Sequence, residues 1–460
     1  MMNRKTVFVC FNSCLVFSIV AFLITFWDFI VSFAALNAWF WAFIIIGIFL
    51  EIQFYRWTKG GFFLGDLRNQ KIFFVFCIST HFFAYYFQAL TEIVTGIINW
   101  HDVDFYLVFI KGVQLFIAHP SQLFTGNLYM ECRRVPGIML YYMIFNSIPF
   151  PINFVAQSLV TLYCNLGSCY VIFQICKLKK IKESQIPSFI KSPYVIAGIY
   201  IVYFGFFFEY LVGDSYSLAG FFVIAGLYYF LQGKEHAGFF FWGLSIMFIL
   251  NTIIWVFFLI LKKPLKQFVK NAVFLIIPLL PTIIMLLLWP NLIWDFIPCN
   301  IKFSQGPLAN MNISGTFSSN LASIFGINIL YPFLISIIVV VPFTIFTIYK
   351  TPLVFIDKLM IAALATISII PDFDAGHVVY FMVPYLFWLS MKSKDISIKI
   401  KMIPFIPTTI MAIWFVFPLM SVFYIVPLIL IEISLIKKSL NAKKGMIQPP
   451  DITTEQEMPC

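Results

Sequence analysis

Two aspartates one residue apart, Asp102 and Asp104, stand in NWHDVDFYLVF, directly after an apolar run that begins at Ile72. Charged residues make up only 11% of the chain, so paired carboxylates at the end of an apolar segment call for a chemical account. A carboxylate fixed at the head of an amphipathic helix, above a hydrophobic cavity, has the placement of a general base for a lipid-linked substrate. Apolar residues at helical spacing do follow Asp104 in DFYLVFIKGVQLFI, the pattern of a helix lying at a membrane interface. Two other readings stay open. One is a solvated loop; the other is a carboxylate pair on a divalent metal, although no further ligand-rich motif accompanies it.

Arg133 and Arg134 in MECRRVPG are the next candidates. Guanidinium groups match phosphate oxygens bidentately, and the same two residues could equally snorkel to lipid headgroups. His377 follows Asp372 and Asp374 in PDFDAGH, just before an apolar helix, where a histidine serves either as a helix-end residue or as a titratable group beside two acids. No phosphate-binding Gly-rich loop, G-x-S-x-G or H-E-x-x-H occurs, so a nucleotide site, a serine hydrolase and a zinc protease are not indicated. The nine cysteines contain no C-x-x-C pair, and Asn312-Ile313-Ser314 is a lone glycosylation sequon.

These residues must be positioned by membrane helices. The 460 residues are 61% hydrophobic, with a mean hydropathy of +0.94, far from a soluble composition. Apolar runs recur to Ile436 with no alternating-strand pattern, which predicts an all-α polytopic membrane protein. The net charge of +10 reads as topology rather than nucleic-acid binding. Basic residues cluster at 56–71, 177–191, 262–270, 350–358, 392–401 and 437–444, and by the positive-inside rule these are cytoplasmic.

Threading under that rule gives spans at 7–27, 31–54 and 72–98, then an external loop, 99–136, that holds Asp102 and Asp104. VPGIMLYYMIFNSIPF is expected to be a short interfacial or re-entrant helix, followed by a crossing at 153–177. A hairpin of 192–212 with 217–232, a broken helix pair at 238–262 and a crossing at 270–290 come next. A second external loop, 291–325, leads to a span at 326–348, a hairpin of 359–371 with 374–391, and last spans near 403–417 and 418–436. The whole of 1–436 is one transmembrane domain, 437–460 is a polar cytoplasmic tail, and both termini are cytoplasmic. Asp102, Asp104, the 291–325 loop and Asp372, Asp374 and His377 then share one external face.

HDVDFYLVFIKGVQLFIAHPSQLF resembles the first external loop of the GT-C class mannosyltransferases that use polyprenyl-phosphate-mannose. It is similar to the enzyme adding the first mannose of glycolipid anchors and to the bacterial phosphatidylinositol-mannoside mannosyltransferases. Further elements keep the family's order over roughly residues 70–392: ECRRVPGIMLYYMIFNSIPFP, LQGKEHAGFFFWGLSIMFIL and PDFDAGHVVYFMVPYL. The chain departs from the pattern near Asn251, where the family carries a lysine, and at Val135-Pro136, where it carries two prolines.

The resemblance implies a GT-C-like bundle of about 11–14 transmembrane helices, with an external amphipathic helix and short broken or re-entrant helices. It also implies a polyprenyl- or dolichyl-phosphate sugar donor, a lipid-linked or glycan acceptor, membrane lipids as surroundings, and no metal, cofactor or nucleic acid. Asp104 would deprotonate the acceptor hydroxyl with Asp102 assisting, while Arg133, Arg134, His377 and Tyr380 would attend the donor phosphate or substrate. Other functions fit the same composition: a flippase or transporter of polysaccharide precursors, and an O-antigen-type polymerase or ligase.

Overall fold

The computed structural model describes residues 66–124, 134–178, 192–203, 205–253, 265–296, 325–327, 330–351, 353–369, 375–390, 396–404 and 425–435, with scattered positions between 5 and 60. The expected span 7–27 (apart from scattered positions), most of 31–54, most of the 291–325 loop and of 403–417, and the tail lie outside the described residues. Among the described residues every regular element is helical. They are α1 (Leu67–Val94), α2 (Phe105–Ala118), α3 (Ile138–Asn146), α4 (Ile152–Cys176), α5 (Pro193–Ile201), α6 (Gly205–Val212), α7 (Tyr216–Leu231) and α8 (Glu235–Phe248). After these come α9 (Lys266–Leu288), α10 (Leu330–Lys350), α11 (Phe355–Ile369), α12 (Ala375–Ser390), α13 (Ile398–Lys401) and α14 (Ile425–Leu435).

Four of them, α1, α4, α9 and α10, are long and apolar enough to cross a membrane, and α5 with α6 forms a fifth candidate bent by 48°. The crossing expected at 153–177 is α4, the short helix expected after Arg134 is α3, and the hairpin expected at 359–391 is α11 with α12. The other arm of the expected 192–232 hairpin, α7, has 16 residues, about 24 Å of helix, less than a hydrocarbon core of about 30 Å.

Several helices are polar inside and apolar outside. Along α4, Asn153, Gln157, Thr161, Asn165 and Ser168 recur at helical spacing and are buried, while Tyr163 (76% exposed) and Tyr170 face outward. On α9 the outward positions include Leu287, 75% exposed. Helices α11 and α12 are mostly apolar and buried on nearly all sides, with Val378 to Leu389 almost wholly covered. A Cβ on Gly243 of α8 would run into the Leu275 backbone carbonyl of α9, so these two helices approach backbone to backbone.

One end of the α11–α12 hairpin is closed by charge. Asp357 Oδ1 accepts a hydrogen bond from Trp388 Nε1 at 2.7 Å and lies 3.7 Å from Lys401 Nζ, which donates to the Trp388 carbonyl at 2.9 Å. Tyr385 Oη donates to the Lys401 carbonyl at 2.8 Å, pinning α13 against α12. Burial lowers the Lys401 ammonium from 10.5 to about 8, with Asp357 acting in the opposite direction.

Because folding favours the neutral lysine, the unfolded chain holds more protons between pH about 8 and 10.5, and stability rises with pH across that window. Melting curves of wild type minus those of Lys401→Met isolate this contribution, and the difference should grow from pH 8 to pH 10. Gly243→Ala should lower stability by about 1–3 kcal/mol, read as a lower melting temperature in detergent, because a backbone carbonyl cannot rotate aside as a side chain can.

Candidate functional site

The segment leading to Asp104 is held by aromatic stacking. Trp100 lies on Phe150 with ring centroids 4.2 Å apart, and its edge meets Tyr106 at 4.5 Å. Asp102 is exposed and accepts a hydrogen bond from Asn99 Nδ2 at 2.9 Å, so its carboxylate is already tied into the turn. Asp104 is half-buried and immediately precedes α2. The first part of α2, Phe105–Ile110, is a wide π-helical turn that directs Phe105 and Phe109 inward. Phe109 stacks on Tyr142 of α3 at 3.9 Å, and Phe105 packs against Phe154 of α4. Gly213, with φ +74°, admits Phe105 where a Cβ would stand 2.5 Å from it.

Arg134 comes next in chain order and is buried. Its guanidinium pairs with Asp214, in the turn between α6 and α7, and lies over the rings of Phe109 at 4.9 Å and Tyr216 at 5.5 Å. Thus neither the lipid headgroup nor open solvent receives it. The Asp214 carboxylate also accepts from the Ser215 amide, and its carbonyl accepts from Gln157 Nε2 at 3.4 Å. Gln157 Oε1 in turn accepts from Tyr141 Oη at 2.6 Å. Burial raises the Tyr141 and Tyr142 phenols above the ordinary tyrosine range, keeping both hydroxyls neutral.

His377 reaches the same place from α12. Its ring is 4.9 Å from that of Tyr216 and 5.9 Å from that of Tyr380, and both His377 and Tyr380 are buried. The structure therefore brings Arg134 and His377 both against Tyr216, with Tyr380 beside His377 on α12 and Phe109 of α2 under the Arg134 guanidinium. Compared with known proteins, the chain matches no family model and no curated protein. Arg133, Asp372, Asp374 and the Asn312 sequon lie outside the described residues, as does the side chain of Asn251. Among the described residues, no group of three or more histidine, cysteine and acidic side chains is placed to hold a metal.

Sequence reasoning missed Asp214 and Glu209, which stand in FFFEYLVGDSYS. Glu209 is buried and accepts from both the amide and the hydroxyl of Ser217 in the first turn of α7. An ionisable residue inside an apolar run was the available signal.

A second buried polar cluster lies midway along α1. The bend between α5 and α6 frees the carbonyls of Ile201 and Val202; the first accepts from His81 Nδ1 at 2.8 Å and the second from Tyr85 Oη at 2.7 Å. A carbonyl can only accept, so His81 carries its proton on Nδ1, and Nε2 accepts from Tyr210 Oη at 2.8 Å. Tyr210 Oη then accepts from Asn165 Nδ2 at 2.9 Å, which makes every bond in the chain directional. His81→Leu should strand the Ile201 carbonyl and the Tyr210 hydroxyl at a cost of about 1–3 kcal/mol each, measured as reduced thermal stability. His81→Asn, which keeps a donor near the Nδ1 position, should recover part of that loss.

Proposed function

We propose that the chain is an integral membrane glycosyltransferase that moves a hexose, mannose by preference, from a polyprenyl-phosphate sugar to a lipid-linked or glycan acceptor on the external face. The observation that carries the reading is the run of contacts from Phe109 of α2, five residues after Asp104, through Arg134 and Tyr216 of α7 to His377 of α12. Segments far apart in sequence thus meet beside the helix that Asp104 leads. Support for the membrane comes from the buried polar stripe of α4 and the exposed apolar faces of α4 and α9, an arrangement stable only in an apolar solvent. Both termini are assigned to the cytoplasm by the distribution of lysine and arginine.

In this reading Asp104, half-buried beside the apolar wall of Phe105, accepts the proton of the acceptor hydroxyl as that oxygen attacks the anomeric carbon. The bond from that carbon to the phosphate oxygen breaks, and the lipid phosphate departs with the electron pair. Asp102, fixed by Asn99, orients the acceptor. Arg133, His377 and Tyr380 attend the leaving phosphate, the electrostatic share of the rate enhancement.

A second reading is a transporter of lipid-linked glycan precursors. It is favoured by the bent α5–α6 pair and the His81, Tyr210 and Asn165 network inside the span, features that transporters place near the bilayer midplane.

Membranes carrying wild type or Asp104→Asn, incubated with labelled polyprenyl-phosphate-mannose, separate the two readings. Transfer into glycolipid or polysaccharide should fall about 10²–10⁴-fold in the variant. Equal transfer by both proteins would remove Asp104 from the chemistry. A deletion strain that accumulates intracellular precursor without surface glycan would favour transport, whereas loss of one terminal residue would favour transfer.

A further inference from the structure

Arg134 is 1% exposed, a charged group taken wholly into the bundle. Rings cover it at Phe109 and Tyr216, and the Asp214 carboxylate takes its edge. Its charge is balanced inside the protein by the Asp214 carboxylate in contact with it. A phosphate brought to this guanidinium would add a second anionic group beside the Asp214 carboxylate around one cation, a like-charge arrangement in a low-dielectric setting. The elements that meet here are those that carry the proposed chemistry. Phe109 is on α2, five residues after Asp104, while Tyr216 opens α7 and packs on His377 of α12.

We propose that Arg134 and Asp214 form a positioning pair that sets α2, and Asp104 with it, against α7 and α12, and that Arg134 does not touch the substrate. A planar guanidinium fits between two ring faces while donating to Asp214, whereas an ammonium on a flexible stem can donate but has no planar face to lie against the rings. Asp214 is in turn fixed by the Ser215 amide and by Gln157 of α4, so the wedge is anchored on the longest uninterrupted helix of the described structure. The inference rests on the reading of Asp104 as the base and gives the pair a role behind it.

The test uses the full-length protein and the variants Arg134→Met, Asp214→Leu, their double combination, and Arg134→Lys. Either single apolar replacement leaves one buried charge uncompensated and should lower the melting temperature and the yield of folded protein. The double variant removes both charges together and should recover most of the wild-type melting temperature. In transfer assays with labelled polyprenyl-phosphate-mannose, Arg134→Lys should lower kcat about tenfold and the folded double variant at least as much, both leaving the donor KM unchanged.

A double variant that folds with wild-type kcat would overturn the positioning role, and one with a donor KM raised about tenfold or more would return Arg134 to the phosphate. If wild type transfers no sugar, the glycosyltransferase reading fails by itself. The pair is then judged by the melting data: recovery in the double variant upholds the wedge, and additive losses overturn it.

Discussion

Placing a guanidinium and a carboxylate side by side in an apolar bundle costs several kcal/mol of desolvation per ion, which only close pairing and added hydrogen bonds offset. The Arg134–Asp214 contact meets both conditions, with the Ser215 amide donating to the carboxylate, Gln157 donating to the Asp214 backbone carbonyl and two rings covering the guanidinium. Much of the site's geometry follows from it. It joins the start of α3 to the α6–α7 turn and places Phe109 of α2 on the same point. Removing one partner would leave a charge with no water to solvate it, so the segments it joins are held in one relative arrangement.

The bundle obeys the rule that backbone groups away from water must find partners inside the protein. Where the chain bends by 48° between α5 and α6, the freed carbonyls of Ile201 and Val202 are taken by His81 and Tyr85 from the π-helical turn of α1. At the other end of the α11–α12 hairpin, Lys401, Asp357 and Trp388 close the interior in the same manner. Charge and hydrogen bonding therefore act at the two ends and at one bend, while packing of apolar faces fills the rest.

Much of this was legible beforehand. The crossing at α4, the short α3 and the α11–α12 hairpin follow from run length and proline placement, since 1.5 Å of rise per residue converts apolar length into depth. Helix α2 was readable from the spacing of apolar residues after Asp104. Asp214 was not singled out, because a single acid in a turn looks like many other turn residues until its partner is known. His81 and Asn165 were hidden for a similar reason: in a uniformly apolar stretch there is no periodic signal to say which polar side chain meets which.

The sequence by itself determined an all-helical chain, the apolar length of its long helices and the order in which chemistry-bearing residues appear, because composition and periodicity are local properties. Only the tertiary structure decided that Arg134 closes on Asp214, that His377 lies against Tyr216, and that His81 holds the carbonyl of Ile201. Those pairings join residues 80 to 161 positions apart, and the energy of a buried polar contact depends on which partner arrives and how completely water is excluded. Neither is fixed until the helices have packed.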